Sequence, residues 1–159
     1  MRLNNGILIG GILLLLMIGL TFLAPLITKY EPLAIDVVNR LAPPSLEHPM
    51  GTDDYGRDLF SRVLYGGQAS FQIGLITVAI STALGTILGL LAGYYHKVDL
   101  VLMRVADGLT AFPVLILALG IMAVLGQSSM NTVIALTIIY VPNMMRVVRS
   151  CVLSIKSTE

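Results

Sequence analysis

Residues 63–96 read VLYGGQASFQIGLITVAISTALGTILGLLAGYYH, thirty-four positions without an Asp, Glu, Lys or Arg. Two further runs are equally bare: Leu3 to Thr28 and Gly108 to Met145, of 26 and 38 residues. About 20 apolar residues suffice to carry a helix across a ~30 Å hydrocarbon core, so each run is long enough to span a bilayer. The composition agrees, since 56% of the 159 residues are hydrophobic and only 12% charged, against roughly 45–50% and 25% in soluble domains. An all-α, polytopic helical membrane protein is expected.

The charge that remains is gathered in one place. Ten of the nineteen charged residues lie between Lys29 and Arg62, together with Pro32, Pro43, Pro44 and Pro49, a composition that belongs in water. The 38-residue run would be about 57 Å long as one helix, nearly twice the hydrocarbon thickness. It is expected to turn at Gly126-Gln127-Ser128-Ser129. Four spans follow: about Asn5 to Ile27, Phe71 to Tyr95, Leu102 to Leu125 and Thr132 to Val147. The first could be mistaken for a signal peptide, but it is longer than a 7–15-residue signal core and ends in Ala24-Pro25-Leu26 without a clear small-x-small cleavage site. The organisation expected is an N-terminal cytoplasmic end and first helix over 1–28, an extracytoplasmic loop over 29–70, core helices over 71–147 and the start of a cytoplasmic loop over 148–159.

Orientation follows the distribution of Lys and Arg in short loops. With the N-terminus inside, the cytoplasmic side collects Arg2, Lys97, Arg104, Arg146, Arg149 and Lys156. The loop then lies outside, where its four basic residues are accompanied by six carboxylates. Both ends are expected in the cytoplasm. A net charge of +1 gives no basic face for nucleic acid, and the lone Cys151 cannot form an internal disulfide.

Within the spans, Gly85, Gly89 and Gly93 recur every four residues and share one helix face, a seam where another backbone can approach. Arg104 and Asp107 are three apart and able to pair near the start of their helix, as an interfacial ion pair. Pro113 and Pro142 each remove a backbone donor, so kinks are expected at both. Asn131 and Asn143 are candidate interhelical hydrogen-bond donors.

The most distinctive string is His48-Pro49-Met50-Gly51-Thr52-Asp53-Asp54-Tyr55-Gly56-Arg57-Asp58-Leu59-Phe60-Ser61-Arg62, followed by Tyr65-Gly66. Three carboxylates near a histidine raise the thought of a metal or catalytic site, but the spacing fits none of the metal or hydrolase signatures. A tight loop fits better, with Gly51 and Gly56 setting turns and Asp53, Arg57, Asp58 and Arg62 as ionic ties. No phosphate-cradling Gly-rich loop and no nucleophile–base pair stand at a recognisable spacing. No catalytic, cofactor or metal site is expected.

The pattern Gly51-Thr52-Asp53-x-x-Gly56-Arg57-Asp58-x-x-Ser61-Arg62-x-x-x-Gly66, leading into a glycine-spaced helix, resembles the C-type permease subunit of bacterial dipeptide, oligopeptide and nickel ABC transporters. Gly89-Leu90-Leu91-Ala92-Gly93-Tyr94-Tyr95, Asp99, Met103-Arg104-Val105-Ala106-Asp107 and Phe112-Pro113 are similar to the family's succeeding segments. Arg146 and Arg149, through to Glu159, resemble the approach to its cytoplasmic coupling loop. The resemblance implies a six-helix permease fold in the bacterial cytoplasmic membrane, forming part of a path for peptides or chelated nickel. The implied partners are a second, B-type permease subunit, two cytoplasmic ATPase subunits, an extracytoplasmic substrate-binding protein and membrane lipid. The family's Glu-Ala-Ala-type coupling segment and last two helices would follow Glu159, so the chain is expected to be a truncated permease. The alternatives are a non-functional fragment, a small pore protein that self-associates through the glycine seam, and a membrane enzyme with its site in the 48–62 loop.

Overall fold

A computed structural model describes residues 5–157. Six α-helices and one 3-10 turn, Val37–Asn39, make up the regular structure among them: α1 Asn5–Phe22, α2 Ala24–Ile27, α3 Leu59–Tyr94, α4 His96–Thr110, α5 Val114–Leu125 and α6 Ser129–Lys156. The chain divides into two compact units, residues 1–71 and 72–159.

In the first unit the expected span Asn5 to Ile27 is interrupted at Leu23. Pro25 sits in the first turn of α2, where its missing donor costs little. Thr21 closes α1 by donating its hydroxyl to the Met17 and Ile18 carbonyls at 2.8 and 2.9 Å. Its methyl lies where a Cβ on Gly67 would stand, at 2.4 Å, so α1 and the start of α3 touch through a glycine. α3 begins at Leu59, twelve residues before the expected start at Phe71. The reason is Asp58: its Oδ2 accepts the Ser61 N–H at 2.7 Å, satisfying one of the donors a helix leaves free at its N-terminus. Ser61, Arg62 and Gly66 are therefore helical residues, not loop residues.

In the second unit the expected single helix Leu102 to Leu125 is two helices. α4 and α5 meet at 94° across a three-residue break that contains Pro113, because proline cannot continue the hydrogen-bond ladder of α4 and forces its predecessor out of helical geometry. The turn expected at 126–129 is present, with Gly126 at φ +86°. Ser128 caps α6 by accepting the Asn131 N–H at 3.1 Å. The Asn131 carboxamide donates to the Leu125 and Gly126 carbonyls at 2.7 and 3.0 Å, tying the end of α5 to the start of α6. α6 runs on to Lys156, nine residues beyond the expected end at Val147, and carries a buried Pro142 inside it.

α3 and α6 are each long and apolar enough to cross a membrane, and α4 with α5 makes a third span if the bent pair is counted as one; α1 is shorter. The glycine contacts show that α3 and α6 run parallel, Gly85 meeting Met144 and Gly93 meeting Val152. The start of α6 thus lies about fifteen residues before the level of Gly85. Between Tyr94 and Ser129 the chain must travel back about 36 Å at 1.5 Å per residue, more than the ~30 Å hydrocarbon thickness. The bent α4–α5 pair makes that return.

Candidate functional site

The loop motif folds around its two glycines. Gly51 and Gly56 both have φ +74°, and a Cβ on Gly51 would stand 2.6 Å from the Ala42 carbonyl oxygen, on Gly56 only 1.7 Å from that of Asp36. Only glycine reaches this conformation without strain. Thr52 holds the returning chain: its hydroxyl accepts the Ala42 N–H at 2.8 Å and donates to the Asn39 carbonyl, while its backbone bridges to Asp58.

Asp53 is the hub. Its Oδ1 accepts the N–H groups of Tyr55 and Arg57 at 2.8 and 3.0 Å, and its Oδ2 accepts Arg57 Nε at 2.8 Å and Arg62 Nη1. The guanidinium of Arg57 also lies 4.6 Å from the centre of the Tyr55 ring, a cation–π distance. Burial pushes the Asp53 carboxyl up, but the Arg57 side chain and the backbone N–H groups of Arg57 and Tyr55 prevail and hold it far below the ordinary carboxylate range. Asp58 is not tied to an arginine as the sequence suggested. Its Oδ1 lies 2.9 Å from His48 Nδ1, whose ring centre lies 4.6 Å from that of Tyr30 with the planes tilted by 30°. Burial raises the Asp58 carboxyl, and the Ser61 N–H with His48 outweighs it, leaving a net lowering. His48 and Asp58 are both buried and mutually paired. Among the described residues no group of three His, Cys, Asp or Glu side chains is placed to hold a metal.

Gly66 has open space where a Cβ would go, whereas its neighbour Gly67 makes the close contact with Thr21. Nothing local distinguishes the two glycines until α1 docks.

The glycine seam of α3 is filled by α6. A Cβ on Gly85 would stand 2.6 Å from Met144 Cβ, on Gly89 2.7 Å from both the Met145 carbonyl oxygen and Val148 Cβ, and on Gly93 2.6 Å from Val152 Cβ. Met144, Val148 and Val152 repeat every four residues opposite glycines that do the same, so the two ridges mesh in register.

Charged residues tie α4 to α6. Arg149 grips Asp99 with two nitrogens, Nη2 to Oδ2 at 2.7 Å and Nε to Oδ1. Arg146 donates to Asp107 Oδ1 at 2.8 Å and to Thr110 Oγ1 at 2.9 Å. The expected Arg104–Asp107 pair is not formed: Asp107 belongs to Arg146, and Arg104 is exposed without an ion pair among the described residues. Asp99 was missed as a tie residue, although an acid opposite two arginines in charge-poor helices is a visible signal. Glu159 and Arg2 lie outside the described residues.

Residues 85–159 match the family described as the binding-protein-dependent transport system inner membrane component. Residues 1–44 match the N-terminal transmembrane domain of oligopeptide transport permease C. The chain belongs to this permease family. A Brucella suis protein named for peptide transport is 47% identical to the permease over 151 residues, 95% of this chain and 51% of the relative. A dipeptide transport system permease protein of Alkalihalophilus pseudofirmus is 41% identical over 98% of the chain and 52% of its own length. An oligopeptide transport system permease protein of Bacillus subtilis is 35% identical over 99% and 52%. The permease spans about half the length of the curated relatives it matches. Residues 45–84, which include the Asp53 hub, fall between the two family matches and inside the alignments with these relatives. The apolar helices and the family together make it an integral inner-membrane protein.

Proposed function

We propose that this permease forms part of the translocation path of a peptide importer driven by separate ATPase subunits. The observation that carries the proposal is the transport-permease match over residues 85–159, which covers the α4–α6 ties and the glycines that seat α6 on α3. Peptide is favoured as cargo because the relatives carry peptide, dipeptide and oligopeptide names. A second permease subunit, two cytoplasmic ATPases and an external binding protein would complete the assembly. Counting α1 with α2 as a first span and the bent pair as a third gives four crossings of a six-helix plan. Both ends then lie in the cytoplasm, and the 29–58 loop faces outward, where Asp53 and Asp58 brace it against the start of α3. The permease itself would hydrolyse nothing. A pore built by self-association through the glycine seam is disfavoured, because α6 of the same chain already fills that seam.

An affinity tag on the protein in its own cells tests the assembly. Mild-detergent isolation should bring down a second permease and an ATPase in fixed proportion. Isolation of a homo-oligomer without ATPase would contradict the proposal.

A further inference from the structure

Several grooves open on α6, and the linings of two of them differ. The one against α5 is lined wholly by apolar residues and glycine, including Phe112, Ile116, Val124 and Ile138, as a surface facing acyl chains should be. The one against α3 has a volume of about 580 Å³, and half of its ten lining residues are polar: Thr77, Ser81, Thr82, Tyr140 and Asn143. No Asp, Glu, Lys, Arg or His lines it. These five lie near the midpoints of α3 and α6, the part of each helix furthest from its ends. Thr82, Tyr140 and Asn143 are exposed and make no hydrogen bond among the described residues, whereas Ser81 is buried and turns its hydroxyl onto the Thr77 and Val78 carbonyls, and Thr77, only 3% exposed, has a buried hydroxyl oxygen without a partner. Polar groups at this depth are costly against hydrocarbon and are found facing protein or a water-filled cavity.

We propose that the α3–α6 groove is the stretch of the translocation path this chain lines, and that the neutral side chains exposed in it, Thr82, Tyr140 and Asn143, bind the main-chain amides of a passing peptide. This inference rests on the peptide-importer reading above. Every peptide bond flanked by non-proline residues offers one donor and one acceptor whatever its side chains, and hydroxyls and a carboxamide can both donate and accept. A fixed charge would hold peptides of opposite sign and repel those of like sign. A neutral lining binds all of them weakly enough to release them, which conduction requires. The groove volume is within the range of sites that enclose small ligands.

The test uses membrane vesicles containing the protein with its own partner subunits, in a Cys151→Ser background. Thr82→Cys and Asn143→Cys should react with a membrane-impermeant methanethiosulfonate about tenfold faster than Leu119→Cys on the exposed face of α5. Saturating trialanine should slow the reaction several-fold, and free alanine should not. Slow reaction with the water-soluble reagent but fast reaction with a lipid-soluble maleimide would place the groove against lipid and overturn the proposal. Slow reaction with both would mean that a partner helix covers the groove, which overturns it equally. Fast labelling without protection by trialanine would overturn the peptide assignment. ATP-driven peptide uptake by the unsubstituted protein is measured in the same vesicles. If uptake is present, a failed labelling test removes this inference alone; if uptake is absent, the importer reading itself falls.

Discussion

Asp99 and Arg149, fifty residues apart in the sequence, form a two-pronged ion pair that joins the first turn of α4 to the last third of α6. Two parallel N–H···O contacts fix orientation as well as distance. With the side chains 13% and 30% exposed, the pair is better sheltered than Arg146 with Asp107, where the carboxylate is 68% exposed. The two ties should therefore differ in strength.

Asp99→Asn should destabilise the purified protein by about 1–3 kcal/mol, because it leaves a sheltered guanidinium with half its partner. Asp107→Asn should cost roughly 0–1 kcal/mol, as exposed pairs do. Thermal midpoints in one detergent decide the order; equal shifts would show that the sheltered pair is not the stronger tie.

The glycine seam makes a contrast between neighbours in composition. A Gly89→Ala methyl would meet the Met145 backbone oxygen and Val148, while Gly120 has nothing within 4 Å of its would-be Cβ. Gly89→Ala should cost about 1–3 kcal/mol by overpacking, and Gly120→Ala should be neutral or gain up to about 1 kcal/mol in helix propensity. A Gly89→Ala protein as stable as the unsubstituted one would mean α6 does not sit on this face.

Much of this was legible in the residues, and the misses share a cause. Uncharged runs located the apolar helices, the i, i+4, i+8 glycines marked a packed face, and Gly51 and Gly56 marked turns that do take positive φ. Local spacing tells which side chains can meet, not which distant element arrives first. Arg104 is three residues from Asp107, yet α6 brings Arg146 there. Gly66 and Gly67 are indistinguishable until Thr21 lands on one of them. Asp58 immediately before Leu59 and Phe60 was readable as a helix N-cap, but the surrounding charges drew it into an ionic reading. Pro113 predicted a kink, and the break at 94° divides the helix outright.

In the loop, Asp53 holds two arginines and two backbone N–H groups, whereas each arginine can be lost while the other remains. Asp53→Asn should open the loop more than Arg57→Gln, read as faster amide exchange at Tyr55 and Arg57. Greater exchange in Arg57→Gln would remove Asp53 from its place as hub.

The carboxyls of Asp53 and Asp58 are held below their ordinary value in the folded loop. Their contribution is complete above the unfolded value of about 4 and is lost as pH falls through that value toward the lower folded ones. Resistance of the loop to acid-active protease should be level from about pH 7 to 5 and fall below about 4. A loss centred between pH 6 and 7 would assign the stability to another group.

Topology is checked by cysteines at two exposed positions in a Cys151→Ser background. Ser45→Cys should be labelled by an impermeant maleimide from outside the cell, and Ser157→Cys only after the membrane is opened. The reverse pattern, or labelling of both, would contradict the orientation drawn from the basic residues.

Transport itself tests whether this chain is part of an importer. Sealed vesicles holding the protein with its partner permease, ATPases and binding protein are loaded with ATP on the ATPase side and given a radiolabelled dipeptide on the other. The dipeptide should accumulate, and accumulation should stop when ATP is replaced by a non-hydrolysable analogue and when this permease is omitted. Accumulation that continues at the same rate without the permease would contradict the importer reading.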